Sequence, residues 1–197
     1  MTALMPPVPR TALLDQAPAL LERAVGYTRA SLMLVANEPK SAATPCTGWD
    51  LATLLGHMDD SLAAFTEAAD LGYVAAEPAE AKDPAALVES LKTRACALLG
   101  AWSTEPARAE TSVAGHATSL RLLAAAGALE ITVHGWDVAA ACGSPRPIPD
   151  ALALSLLGVV DLVVAQPDRS VRFADPVVVP PQADASTRLL ALLGRHA

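Results

Sequence analysis

Aromatic side chains are scarce in this chain: only 4% of its 197 residues are Phe, Trp or Tyr, although 52% are hydrophobic. A core short of rings must be filled by Ala, Leu and Val, a mixture that packs as helices rather than as pleated sheets. Cysteine is sparse too. Cys46, Cys96 and Cys142 are odd in number and far apart, which argues against both a disulfide framework and a Cys-x-x-Cys metal knuckle. Cys46 falls in a turn, where a thiol is either a reactive group or a plain half-buried side chain. Basic charge is the third shortage. The net charge is −7, and residues 41–81 hold seven acids without one Lys or Arg. Such a surface repels phosphate backbones, so nucleic acid is not an expected partner. No apolar stretch spans a bilayer without Pro, Gly or charge, and residues 1–10 are Pro-rich without the charged-then-apolar order of a signal peptide. No membrane partner is expected, and the expected compartment is the cytoplasm. No internal repeat is present.

What is there reads mainly as all-α, with enough residues for one well-filled core. Residues 15–36 have helical spacing in Leu21, Val25, Leu32 and Val35, with Pro18 in the first turn. After Asn37-Glu38-Pro39 comes Thr44-Pro45-Cys46-Thr47-Gly48-Trp49-Asp50, a turn whose Gly permits a positive φ and whose Asp50 is placed to cap the next helix. That helix aligns Leu51, Leu54, Leu55, Met58, Leu62 and Phe65, with His57 at the rim and Asp59 and Asp60 expected in solvent. A third helix is predicted from the Asp83-Pro84 pair to about Trp102, followed by an irregular link over 103–117 that carries His116. The fourth helix, about 119–142, ends at Gly143 and Pro145. A fifth, 149–165, is apolar nearly all round and is expected either inside the core or at a homodimer contact. Val171-Arg172-Phe173 and Val177-Val178-Val179 suggest a short hairpin, and a small helix over 184–193 closes the chain. The expected organisation is a helical bundle over 1–165 with a short tail, 166–197, packed on it.

The chemistry concentrates in Glu130-Ile131-Thr132-Val133-His134-Gly135-Trp136-Asp137. On a helix Glu130 and His134 stand about 40° apart, with Asp137 about 20° to the other side of Glu130. Leu123, Ala126, Gly127 and Ala141 share the face, and these mostly small residues leave space above the polar groups. Such a cluster is a surface Glu/His pair, or it is buried and paired with something, and a divalent cation would serve. His57 is likewise a core-edge histidine or a third ligand. A bundle that brings His57 opposite Glu130 and His134 makes a set of two imidazoles and one carboxylate. This set suits zinc first, with nickel, manganese or ferrous iron as alternatives, and it leaves coordination positions open. Asp137 can orient a ligand or a metal-bound water, or move a proton. His116 as an extra ligand, and Arg94 and Arg121 as carboxylate contacts, compete with ordinary solvated roles.

The turn 44–50, the Leu54-Leu55-Gly56-His57 stretch and the Glu130-to-Asp137 motif, in that order, resemble the mycothiol-dependent maleylpyruvate isomerase and DinB-like metal-binding family over about residues 15–165. The resemblance implies an up-down four-helix bundle with an extra helix and a short hairpin-plus-helix tail. It also implies a metal held by His57, Glu130 and His134, and a low-molecular-weight thiol as co-substrate. The tail resembles that of the small members, and the larger C-terminal domain of the isomerases, with any basic residue it lends to the substrate pocket, is not expected. The chemistry of such a site fits transfer of an activated thiol to a small electrophile, or isomerisation of it, with Asp137 as the catalytic residue or a metal-bound water moving protons. A metal-binding bundle without catalysis and a metal-dependent hydrolase are the competing readings.

Overall fold

Helix α5 (Leu120–Ala141) is the axis of the molecule, since between residues 127 and 139 every side chain but Glu130 is buried. A helix so uniformly apolar needs neighbours on all sides. In this computed structural model, which describes residues 10–74, 83, 86–103, 109–164 and 173–196, those neighbours are α2 (Ala17–Leu32), α3 (Leu51–Asp70) and α6 (Asp150–Val163). With α4 (Leu87–Trp102) packed on α3 and touching α2, four helices surround the core in the order α2, α5, α3, α4. The closest approach is that of α5 to α2. There Gly135 faces Thr28, whose hydroxyl donates to the Ile131 carbonyl at 2.7 Å. Because α2 and α3 are not neighbours in this ring, the connection between them crosses the bundle and carries Cys46 and Trp49 to the gap between α3 and α5.

Local rules place the ends of these helices. Asp50 accepts from the Thr53 amide at 2.8 Å and caps α3. Gly143, with φ 65°, stops α5 in a paired turn in which its amide reaches Ala140 and that of Ser144 reaches Ala139. The predicted first helix is found as α2, its last turn a 3-10 segment, Met33–Asn37, and a separate short helix, α1 (Arg10–Asp15), precedes it without running into it. Pro18 is the reason: inside one continuous helix it would lack an N–H and crowd the carbonyl of Leu14, whereas near the start of α2 it costs little. The third helix begins at Leu87 rather than at Asp83, and Pro84 lies outside the described residues.

In the link after α4, the described residues from Glu110 on are not irregular. Residues 110–119 form an antiparallel hairpin, β1 (Glu110–Val113) with β2 (His116–Ser119), closed by Ala114 and Gly115 at φ 49° and 82°. That two-residue turn matches the twist of the strands. Conversely, the described part of the predicted hairpin, 173–180, is in no ladder, while Val171 and Arg172 lie outside the described residues. Pro176, Pro180 and Pro181 cannot donate to one. Instead the Val177 amide bonds the Ala191 carbonyl, which ties this segment to α7 (Ala185–Leu192), capped by Asp184 and packed on α6. The boundary expected at 165–166 also falls outside the described residues.

Two further expectations change. Asp59 is not in solvent: it is 1% exposed and accepts from Ser90 Oγ at 2.5 Å and Arg94 Nε at 3.0 Å, joining α3 to α4. Asp60 is exposed as expected. Helix α6 is covered by α5, α7, α1 and α2, and Leu154 is its one large apolar side chain left well exposed. Among the described residues no helix is long and apolar enough to cross a membrane.

Candidate metal centre

α3 and α5 pack so that His57 and His134 both aim Nε2 at one carboxylate oxygen. The distances to Glu130 Oε1 are 2.6 Å from His57 and 3.2 Å from His134. Each residue offers one ligand atom, and the three atoms lie within 4.8 Å of one another. Tetrahedral zinc, with bonds of about 2.0–2.2 Å, keeps its ligand atoms roughly 3.3–3.6 Å apart, and the two contacts to Glu130 Oε1, at 2.6 and 3.2 Å, are somewhat shorter. Small rotations of two imidazoles would suffice, so His57, Glu130 and His134 fit a divalent cation. His57 is the exposed member, with 36% of its side chain open to solvent.

Behind His134 lies a second polar layer. Asp137, fully buried, holds His134 Nδ1 at 3.0 Å and is itself held by Arg195, whose Nη2 reaches Oδ2 at 3.0 Å and whose Nε reaches Oδ1 at 3.3 Å. The Cys46 thiol donates to Asp137 Oδ2 at 3.2 Å and lies 3.4 Å from Arg195 Nη2. Cys46, His134 and Asp137 also have ligand-type spacing. A cation there would stand against the Arg195 guanidinium, and that repulsion favours the His57 side. Asp137 is placed to fix the ring of His134 rather than to face the cavity.

The electrostatics follow from burial and pairing. Burial alone would raise the pKa of Glu130, but hydrogen bonds from His134 and His57 outweigh it and hold the carboxyl well below its ordinary range. Burial would lower that of His134, yet its bonds to Asp137, Cys46 and Glu130 carry it well above the usual imidazole value. Asp137 is likewise pulled down against burial by His134 and Arg195.

The turn 44–49 supplies the roof. Thr44 Oγ1 donates to the Trp49 carbonyl at 2.9 Å and accepts from the Cys46 amide at 3.1 Å, and Gly48 takes φ 79° to close the loop. Trp49 is thereby set with its ring 4.9 Å from that of His57 and 6.2 Å from that of His134. A cavity of about 530 Å³ opens beneath it, lined by Cys46, Trp49, His57, Glu130, His134 and, from the tail, Arg195. This volume lies within the range of small-molecule sites.

The tail residue is the one that spacing did not reveal. Gly194, at φ 79°, ends α7 in a paired turn, its own amide bonding Ala191 and that of Arg195 bonding Leu190, and the turn sends Arg195 back into the bundle. Leu-Leu-Gly-Arg, a helix stop followed at once by one basic residue, was the available signal. Among the other candidates, His116 is exposed on the hairpin outside the cavity, Arg94 is engaged with Asp59, and Arg121 pairs with Asp15 on the surface.

No curated protein and no solved structure matches the chain. A family model, that of the mycothiol maleylpyruvate isomerase N-terminal domain, matches residues 21–139, more than half of the sequence. The match runs from α2 into α5 and includes His57, Glu130, His134 and Asp137, and on that ground the chain belongs to the family of the mycothiol maleylpyruvate isomerase N-terminal domain.

Proposed function

We propose that this protein is a divalent-metal-dependent enzyme that activates a low-molecular-weight thiol for addition to a small electrophile, by transfer or by reversible addition that isomerises it. The observation that carries the reading is the convergence of two imidazoles on Glu130 Oε1 at the floor of a cavity of about 530 Å³. His57, Glu130 and His134 would hold the cation, zinc being the best match to the donor set. A cation bound there lowers the pKa of an incoming thiol and keeps it nucleophilic near neutral pH. Asp137, through Nδ1 of His134, fixes the tautomer that presents Nε2, and Arg195 holds Asp137 in turn. Trp49 places its ring beside both histidines.

In the transfer reaction the thiol sulfur bonds to the β-carbon of an electron-poor alkene. The π bond breaks and the thiol proton ends on the α-carbon. Reversal after rotation about the new single bond regenerates the thiol and yields the geometric isomer. Membership of a mycothiol-associated family supports this choice of co-substrate. The cytoplasm, where thiols are kept reduced, is the fitting compartment.

The test is a comparison of chelated protein with protein reloaded with zinc, nickel, manganese or ferrous iron, following consumption of a thiol and a vinyl ketone. Turnover should require both metal and thiol. Equal turnover by the chelated sample would refute the reading. Turnover without thiol would replace it with attack by metal-activated water, and a large metal-dependent rise in melting temperature with no thiol binding would assign the cation a structural role.

A further inference from the structure

Glu130 and His134 border a second, partly open cavity, of about 160 Å³, lined by residues of α2, α3, α4 and α5. Glu130 and His134 are the two residues that line both cavities. Their chemistry differs. The wide one carries the Cys46 thiol, the Arg195 guanidinium and the indole of Trp49. The narrow one is walled by Val25, Leu32, Met58, Leu62, Leu91 and Leu99, with Arg29 and Lys92 among its remaining lining residues. The Thr28 hydroxyl on its wall is already bonded to the Ile131 carbonyl, so it asks nothing of an occupant.

An apolar cavity of roughly 150 Å³ stays dry and takes up benzene, which sets the size of guest that fits here. We infer that this cavity is the specificity subsite for the electrophile and receives its apolar arm, a phenyl ring or a branched alkyl group of four to six carbons. The assignment rests on the function proposed above. A low-molecular-weight thiol carries amides, carboxylates or sugars and suits the wide polar cavity, whereas most of the narrow cavity's lining is apolar and offers such groups few partners. The substrate class is therefore an electron-poor alkene bearing a compact hydrocarbon substituent. Its reactive carbon lies at the Glu130–His134 wall, between the thiol on one side and the hydrocarbon pocket on the other.

The experiment has a binding arm and a turnover arm. Iodobenzene binding to the full chain is measured by calorimetry with and without zinc, in the wild type and in Ala95→Phe, where the new ring projects from the cavity wall. Binding is expected in both metal states of the wild type, and the variant should weaken it at least tenfold. In the turnover arm, zinc-loaded protein with N-acetylcysteine is given phenyl vinyl ketone or methyl vinyl ketone. The wild type should favour the phenyl compound in kcat/KM, and Ala95→Phe should reduce that preference at least tenfold, mainly through KM. Absence of iodobenzene binding in the wild type, or binding that Ala95→Phe leaves intact, overturns the subsite whatever the turnover shows. Turnover of both ketones without preference overturns it as well. Iodobenzene binding with neither ketone consumed locates the failure in the proposed reaction and removes the subsite's role with it.

Discussion

Replacing Arg195 by Ala strips a fully buried carboxylate of its cationic partner. Asp137 is 0% exposed and Arg195 8%, and two of the guanidinium's nitrogens contact the carboxylate while a third donates to the Leu193 carbonyl at 2.8 Å. Breaking a buried pair by removing one member costs about 3–5 kcal/mol. His134 Nδ1 and the Cys46 thiol remain on Asp137, which brings the expected loss towards the low end, about 3 kcal/mol. For a chain of this length that corresponds to roughly 6–12 °C in Tm, at about 2–4 °C per kcal/mol. Urea denaturation of Arg195→Ala, Asp137→Asn and the double variant measures both the loss and its origin. The double variant should recover at least about 1.5 kcal/mol relative to the sum of the singles, because the cost lies in the unpaired charge. Zinc affinity should also fall about tenfold, since Asp137 would hold His134 less firmly. A loss under about 1 kcal/mol with additive singles would refute the account of how the tail reaches the site.

Further perturbations test other parts of the structure. Gly135→Ala would place a Cβ 3.0 Å from Thr28 Cβ and 3.1 Å from its Cα. Overpacking costs about 1–3 kcal/mol while helix propensity returns up to about 1, so a net loss of about 1–2 kcal/mol is expected by urea melt, and no loss would contradict the close α2–α5 contact. His57→Ala should lose most bound zinc by metal analysis yet keep its fold within about 1 kcal/mol, since His57 sits at the rim; unchanged stoichiometry would remove it as a ligand. In chelated protein, Glu130 and Asp137 have depressed pKa values, so their stabilisation is complete above their ordinary values of 4.5 and 3.8 and is lost as pH falls. His134 is raised, so its contribution is complete below 6.5 and is lost as pH rises through its folded value. Stability should therefore peak between about pH 4.5 and 6.5, and zinc, which needs neutral imidazoles, should move the maximum upward. Melts that remain flat from pH 4 to 8 would speak against this network.

Much of the molecule was open to reading along the chain. The helical periods, the Asp50 cap, the small helix near 184–193 and the Gly143 stop act over a few residues, and each is where spacing put it. The Glu130/His134 pair is equally local, because four residues are about one turn of any helix. The 110–119 hairpin escaped because Ala-Gly is a weaker turn signal than Asn-Gly or Asp-Gly and its strands are four residues long. Asp59 escaped because its position next to Asp60 says nothing of Ser90 and Arg94 on another helix.

Helix content, the capped ends and the ligand pair on α5 follow from the order of residues, since backbone hydrogen bonding and side-chain periodicity operate within one or two turns. The arrival of His57 opposite that pair, the Cys46–Asp137–Arg195 cluster behind it and the leucine-walled cavity beside it were decided only by tertiary packing. Each joins side chains tens of residues or more apart, and their separation is set by which ridges of α2, α3, α4 and α5 interlock and by where the tail turns back, information that no local window of the chain contains.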